Sequence, residues 1–206
     1  MIKATMMDYM GSDITVVNAA RVSFGKKSNN TYTTDKDEKL IYYLAEHKHM
    51  SPFGHCFASF HVKAPVFVAR QLVKHKFLRW NEVSRRYVDE EPEFYDPDVW
   101  RGRAEDKKQG SEGEVVSNAN VFYHNTRSLM TYKQLLSEGV CPEQARMILP
   151  QSMMTEWYWS GSLDAFADMC NLRCASDTQV ETQSVAVQIS RKMRSLFPVS
   201  WEALVR

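Results

Sequence analysis

The sequence predicts one α+β domain, a mixed or antiparallel sheet flanked by helices. Three observations predict it. Short alternating apolar segments mark strands, amphipathic stripes mark helices, and their order lacks the regular strand–helix alternation of a parallel βαβ fold. The 206 residues suit a single domain over residues 1–206, with a polar excursion around residues 96–115. With 44% hydrophobic and 25% charged residues, the chain can build a real core. Its 26 basic residues are nearly balanced by 25 acidic ones, which argues against a general polyanion binder and for a local anion site.

The elements follow in order. "IKATMMDY" reads as an opening strand. "TTDKDEKLIYYLAEH" reads as a helix capped by Thr34, with an acidic first turn and a stripe of Leu40, Ile41 and Leu44. "HCFASFHV", His55 to Val62, is a buried-sheet strand. Pro65 suits the first turn of a further helix, whose end delivers Gln71, Lys74 and His75. "EFYDPDVWRGRAEDKKQGSEGEVVSN" is polar and turn-rich. A long helix is expected over Val116 to Leu136, stopped by Gly139, then a short one between Pro142 and Pro150. "SMMTEWYWS" reads as a strand whose aromatic run serves the core or a subunit interface. Helices over Ser162–Leu172 and Ser176–Leu196 close the pattern before Pro198.

No apolar run approaches the ~20 residues of a membrane span, so no membrane partner is expected. "MIKATMMDYMGSD" lacks a secretion pattern, which points to the cytoplasm (a host's cytoplasm for a viral chain) and removes the meaning of the acceptor-like "NNT" at Asn29. Cys56, Cys141, Cys170 and Cys174 form no CxxC pair and no zinc spacing, so reduced thiols and no metal are expected; Cys170 and Cys174 can face each other on one helix. His55 reads as structural, and His61 and His124 as structural or surface.

The functional signal is "RQLVKHKFLRWNEVSRRYVDEEPEFY", Arg70 to Tyr95. Between Lys74 and Tyr87 it gathers Lys74, Lys76, Arg79, Arg85 and Arg86 around a single acid, Glu82. A solvated helix face is the ordinary reading of such a run. A nucleic-acid face is a second, since Phe77, Trp80 and Tyr87 can stack bases. The acids of "DEEPEF" repel a long phosphate backbone, so a small phosphate explains more. Ser84 and Arg86, after a helix end, can converge on phosphate oxygens, and Glu82 can accept a sugar hydroxyl or a ring N–H. The residues alone reach a phosphorylated small molecule, with a nucleotide as one candidate and no nucleic acid.

The stretch "KHKFLRWNEVSRRY" resembles the signature of flavin-dependent thymidylate synthases, matching it at His75, Asn81, Glu82, Ser84, Arg86 and Tyr87. "NAARVSFGK", "DEKLIYYLAEHKHMSPFGHCFASFHVKAPVFVARQ", "KQGS", "EQARMILP" and "NLRCASDTQVE" resemble other family segments in the same order. The resemblance implies that family's fold and its conversion of dUMP to dTMP. It implies methylenetetrahydrofolate as carbon donor, NADPH as reductant through FAD, and a homotetramer whose active sites draw on several subunits. It places Gln71, Lys74, Glu82, Ser84, Arg85, Arg86, Arg146 and Arg173 at the nucleotide, with Arg173 catalytic beside the pyrimidine. It places His49, Ser51, Lys74, His75, Lys76, Glu82, Ser162, Asp164 and Asp168 at the flavin.

Departures fall on the flavin side. Lys74 and Lys76 replace arginines, Arg79 replaces a serine, and Gly54 stands where a glutamate is common. Ser162, Asp164 and Asp168 stand where the family has Asn, Arg and Asn. These changes keep two alternatives open: a pyrimidine-nucleotide hydroxymethylase or methyltransferase acting on dUMP or dCMP, and an inactive relative that binds nucleotide or nucleic acid.

Overall fold

The computed structural model describes residues 1–88, 90–105 and 110–205. Four strands, β1 (Lys3–Met10), β2 (Phe57–Pro65), β3 (Leu78–Glu82) and β6 (Met154–Ser162), form one sheet in the order β1-β2-β6-β3. Every pairing is antiparallel, so of the two expected sheet types it is the antiparallel one. A hairpin of β4 (Trp100–Arg103) and β5 (Ser111–Val115) stands apart. The helices are α1 (Asp13–Arg21), α2 (Asp35–Glu46), α3 (Val66–Leu72), α4 (Val121–Ser137), α5 (Pro142–Ala145), α6 (Leu163–Arg173), α7 (Val180–Leu196) and α8 (Pro198–Leu204). Among the described residues no helix is long and apolar enough to cross a membrane.

Alternation makes the core. Ala58, Phe60, Val62 and Ala64 of β2 are buried, while Ser59, His61 and Lys63 between them stay half-exposed. Trp157 and Trp159 of β6 pair opposite Val62 and Phe60 and extend the same buried face. Phe166 of α6 meets Phe60 edge-on at 5.3 Å and Trp159 at 5.7 Å. Val185, Ile189 and Met193 of α7 close the layer, and Gln188 of the same helix accepts the Ala4 N–H of β1 at 3.0 Å.

Two buried carboxylates tie the helices. Asp37 completes a capping box with Thr34 at the start of α2, as the sequence suggested, and meets Arg21 of α1 at 2.7 Å. Burial pushes its carboxyl up, but Thr34 and Arg21 outweigh this and hold it below the ordinary value. Asp13 accepts from Val199 N at 3.1 Å and Ser200 N at 2.9 Å, so a residue of α1 caps α8.

Several expectations shift. Pro65 ends β2 and caps α3 instead of entering its first turn. The long helix α4 begins at Val121 because the Asn120 side chain accepts from Tyr123 N at 2.9 Å and caps it there. α7 begins at Val180, and Pro198 opens α8. Part of the polar excursion is the β4–β5 hairpin. The largest correction concerns the charged run: residues 78–82 form an edge strand, not the end of a helix face. Trp80 is half-buried against Trp157, stacked at 4.3 Å, while Arg79 and Asn81 alternate outward and are exposed.

That strand approaches β6 closely at Gly161, which pairs with Leu78. A Cβ there would overlap Leu78 Cδ2 and stand 3.1 Å from the Phe77 carbonyl oxygen. Gly161→Ala is therefore expected to cost about 1–3 kcal/mol by overpacking. Urea denaturation followed by tryptophan fluorescence checks it; unchanged stability would mean β3 yields freely.

Candidate functional site

Helix α3 stands between two cavities. Its Phe67 and Gln71 side, with Lys74 just past its end, faces a cavity of about 760 Å³, bounded by Tyr95, Pro97, Val99, Trp100 and Arg101 and by the junction of α6 and α7. Its Val66 and Arg70 side faces a second of about 370 Å³, with Glu82, Arg85 and Arg146. Spacings of three and four residues along a helix produce these two faces.

Arg173, the last residue of α6, lies in the larger cavity. Its Nε donates to His75 Nε2 at 3.0 Å. Burial, and then the charge of Arg173, lower the His75 pKa from 6.5 to about 4. The imidazole is thus neutral near pH 7, accepts at Nε2, and carries its proton on Nδ1. Among the described residues the terminal guanidinium nitrogens of Arg173 have no protein partner. Gln71 is oriented from α7: it donates to Gln179 and accepts from Thr182 Oγ1 at 3.2 Å.

The far wall was not anticipated from the sequence. Arg101 of β4 ion-pairs with Glu181 in the first turn of α7 and donates to Ser111 Oγ at 3.0 Å. Tyr95 adds a hydroxyl to Glu181 Oε1 at 3.3 Å. Burial raises the Glu181 carboxyl, but the Arg101 hydrogen bond and the helix-start amide bring it below its ordinary value. An acid in the first turn of α7 was the one available signal; its partner lies 80 residues away.

Glu82, Arg85 and Arg146 line the smaller cavity, and Ser84 and Arg86 flank Arg85 in sequence outside its lining. Glu82 accepts from Thr155 Oγ1 at 2.8 Å and Trp80 Nε1 at 3.0 Å, a hydroxyl and a ring N–H of its own chain. Ser84 Oγ accepts from Arg86 Nε at 3.2 Å. Arg86 lies 4.9 Å over the Tyr87 ring and 3.6 Å from the Glu143 carboxylate. Arg146 donates to the Glu143 carbonyl at 3.4 Å, and Arg85 to that of Glu90. Arg86 and Arg146 therefore gather at Glu143, an exposed contact of small worth that an anion can displace.

The expected flavin residues form two groups. The 3₁₀ turn Ser51–His55 packs against α6, with Leu163 N donating to Cys56 O at 2.9 Å, which brings the turn that carries Ser51 to the helix that carries Asp164 and Asp168. His49 precedes that turn, its ring in a parallel array with His47 and Tyr43. Ser162 caps α6 and donates to Asp164. Burial, and then Asp164 one turn away, push the Asp168 carboxyl up. Lys74, His75 and Lys76 lie in the turn after α3, which ends at Leu72 and not, as expected, around His75; they precede Phe77, which is exposed with φ 64°. Of "KQGS", Lys108 and Gln109 lie outside the described residues; Gly110, at φ 97°, packs against the Asp177 carbonyl.

Against this geometry, the family described as thymidylate synthase complementing protein matches residues 5–199. The chain belongs to that family. A flavin-dependent thymidylate synthase of Kosmotoga olearia is 39% identical over 206 residues, covering 97% of this chain and 88% of the relative. One from Thermus thermophilus is also 39% identical, covering 96% and 73%. Among solved structures, the UMP/dUMP methylase PolB of Streptomyces cacaoi, bound with 5-Br dUMP, superposes with a TM-score of 0.88 at 30% identity, covering 98% of this chain and 94% of that one.

In this chain, His75 offers a direct electrostatic probe. Between pH 6.5 and about 4 the unfolded chain binds a proton that folded His75 refuses, so stability falls with pH across that window and is indifferent to His75 above it. An NMR titration is expected to place the midpoint near 4. Arg173→Gln is expected to move it upward, though burial keeps it below 6.5. An unmoved midpoint would show that the two side chains do not interact.

Proposed function

We propose that this chain is an enzyme that methylates the pyrimidine ring of dUMP to give dTMP. Methylenetetrahydrofolate supplies the carbon, and NADPH supplies electrons through FAD. The observation that carries the reading is Arg173, held through Nε by a neutral histidine in a nucleotide-sized cavity, its terminal nitrogens without a partner among the described residues. A fixed cation there favours negative charge on the pyrimidine as N3 ionises, which makes C5 a better nucleophile. His75 orients that cation without competing for charge. Gln71, locked by Gln179 and Thr182, offers a preset amide edge to the base or sugar.

Ser84, Arg85, Arg86 and Arg146 grip the phosphate, Lys74 adds a point charge, and Glu82 takes a sugar hydroxyl. Because α3 divides these residues between two cavities, one nucleotide reaches both sets only if copies of the chain adjoin. The homotetramer implied by the family resemblance supplies that arrangement.

The residues present fit a flavin dinucleotide unevenly. Exposed Lys74 and Lys76 suit its diphosphate, and His49, Ser51 and His75 suit its ring system. Asp164 and Asp168, acceptors only, suit ribose hydroxyls or an amino group and not phosphate. When bound, the flavin supplies hydride chemistry. The carboxylates Asp164 and Asp168, where the family has Arg and Asn, are what favour the second reading: the same scaffold releasing a hydroxymethylated pyrimidine nucleotide, from dUMP or dCMP. A cytoplasmic location suits either substrate.

Mass analysis of the product from dUMP, methylenetetrahydrofolate, NADPH and FAD tests the reading. A methylated nucleotide is expected. A hydroxymethylated one transfers the case to the second reading, and no product with protein that cannot be reconstituted with FAD leaves a binding relative. Arg173→Ala is expected to stay folded and lose at least about one to two decades of turnover, the worth of a charge-assisted bond at a developing charge. Near-normal turnover in folded Arg173→Ala would remove its catalytic role.

A further inference from the structure

Cys170 and Cys174 belong to no step above, yet they flank Arg173. Cys170 is buried in the last turn of α6, and its thiol donates to the Ala186 carbonyl of α7 at 3.6 Å. Cys174 caps the helix, is half-buried, and donates its backbone N–H to Cys170 O at 2.8 Å. The neighbouring Cys174, and then burial, raise the Cys170 thiol, while Cys170 lowers the Cys174 thiol against the opposing effect of burial. The other two cysteines differ: Cys56 is buried and pushed up to about 12, and Cys141 is exposed on another segment.

We propose that Cys170 and Cys174 are a peroxide-reactive dithiol whose closure to a disulfide displaces Arg173 from the cavity. The Cys174 thiolate attacks a peroxide oxygen; an S–O bond forms, the O–O bond breaks, and the departing hydroxide takes the thiol proton as water. Cys170 then attacks the resulting sulfenic sulfur; the S–S bond forms, the S–O bond breaks, and hydroxyl leaves with the Cys170 proton as a second water. Two thiols lose two electrons, and one hydrogen peroxide becomes two waters.

The consequence follows from helix geometry. Residues four apart have Cα atoms roughly 6 Å apart, within the span of a disulfide. Their Cβ atoms stand about 5–6 Å apart, whereas a disulfide draws them to about 4 Å. The last turn must therefore deform, and Arg173, the last residue of α6, lies inside the bridged turn. Beyond it, Ala175, Asp177 and Thr178 line the same cavity, held by bonds from Gln183 to the Cys174 and Ala175 carbonyls and from Thr178 to the Leu172 carbonyl. Closure pulls against all three.

The effect on nucleotide rests on the functional reading above; the closure itself does not. Parent protein treated with hydrogen peroxide, alkylated and cut with trypsin without reductant gives a direct test. Trypsin cuts after Arg173, between the cysteines, so only a disulfide keeps peptides 147–173 and 174–191 joined. The joined pair is expected, and with it a rise of the His75 titration midpoint from about 4 as Arg173 moves away. Binding of dUMP by titration calorimetry should weaken roughly tenfold, a typical coupling. Dithiothreitol should restore both. In Cys174→Ser, peroxide should leave the His75 midpoint unmoved. Absence of the joined pair overturns the proposal, as does a joined pair with an unmoved His75 midpoint. Reduced protein that binds no dUMP counts against the nucleotide reading alone, since the peptide and His75 measurements still decide this one.

Discussion

A helix of seven residues cannot turn two faces to one cavity, and the arrangement of the site depends on that constraint. Val68, Ala69 and Leu72 bury α3 against the core, which commits its remaining faces. Gln71 goes one way, towards Arg173, as does Lys74 just past the helix; Arg70 goes the other, towards Arg85 and Arg146. The position of α3 is set in turn by β2, which runs directly into it at Pro65, and by β6, whose residue before the strand, Met153, accepts the Val66 N–H at 2.9 Å. Everything polar around α3 is therefore sorted by a packing decision made in the core.

Each cavity then solves its electrostatics separately. In the larger one, charge is held by fixed partners: Arg173 by a histidine too buried to compete for a proton, and Arg101 by a carboxylate at the start of α7. At the smaller one, Arg146 of its lining and Arg86, which follows Arg85 of that lining, rest on Glu143 through long, solvent-exposed contacts. The first is a preorganised surface that costs little to use. The second is a loose grip that an incoming phosphate can take over. This contrast agrees with one set acting on a ring whose charge changes and the other holding an anion whose charge does not.

The fold was legible where one physical signal dominated. Thr34 and Asp37 marked the start of α2, and the buried alternation of β2 and β6 marked the sheet. β3 was not legible, because the charges of Lys74 to Arg79 obscured the period-two pattern of Leu78 and Trp80. α1 and α8 were missed because the cap that joins them, Asp13 to Ser200, spans 187 residues. The family signature proposes residue types for the site but carries no sign of their division: Gln71 and Arg70 are neighbours in sequence and face different cavities. The ion pair of Arg101 with Glu181 had no local signal either, since each residue alone resembles an ordinary surface charge.

The central claim is that one nucleotide is held by residues of two copies, Arg173 from one and the Ser84–Arg86 segment from another. Subunit mixing tests it most directly. Arg173→Ala and Arg86→Ala proteins, each impaired alone, are dissociated together and reassembled, with mixed assemblies confirmed by intact-complex mass. The account predicts that mixed assemblies regain dUMP turnover, because some sites then receive both intact halves. Mixed assemblies that stay as inactive as the separate variants would contradict it and place the whole nucleotide site within one chain.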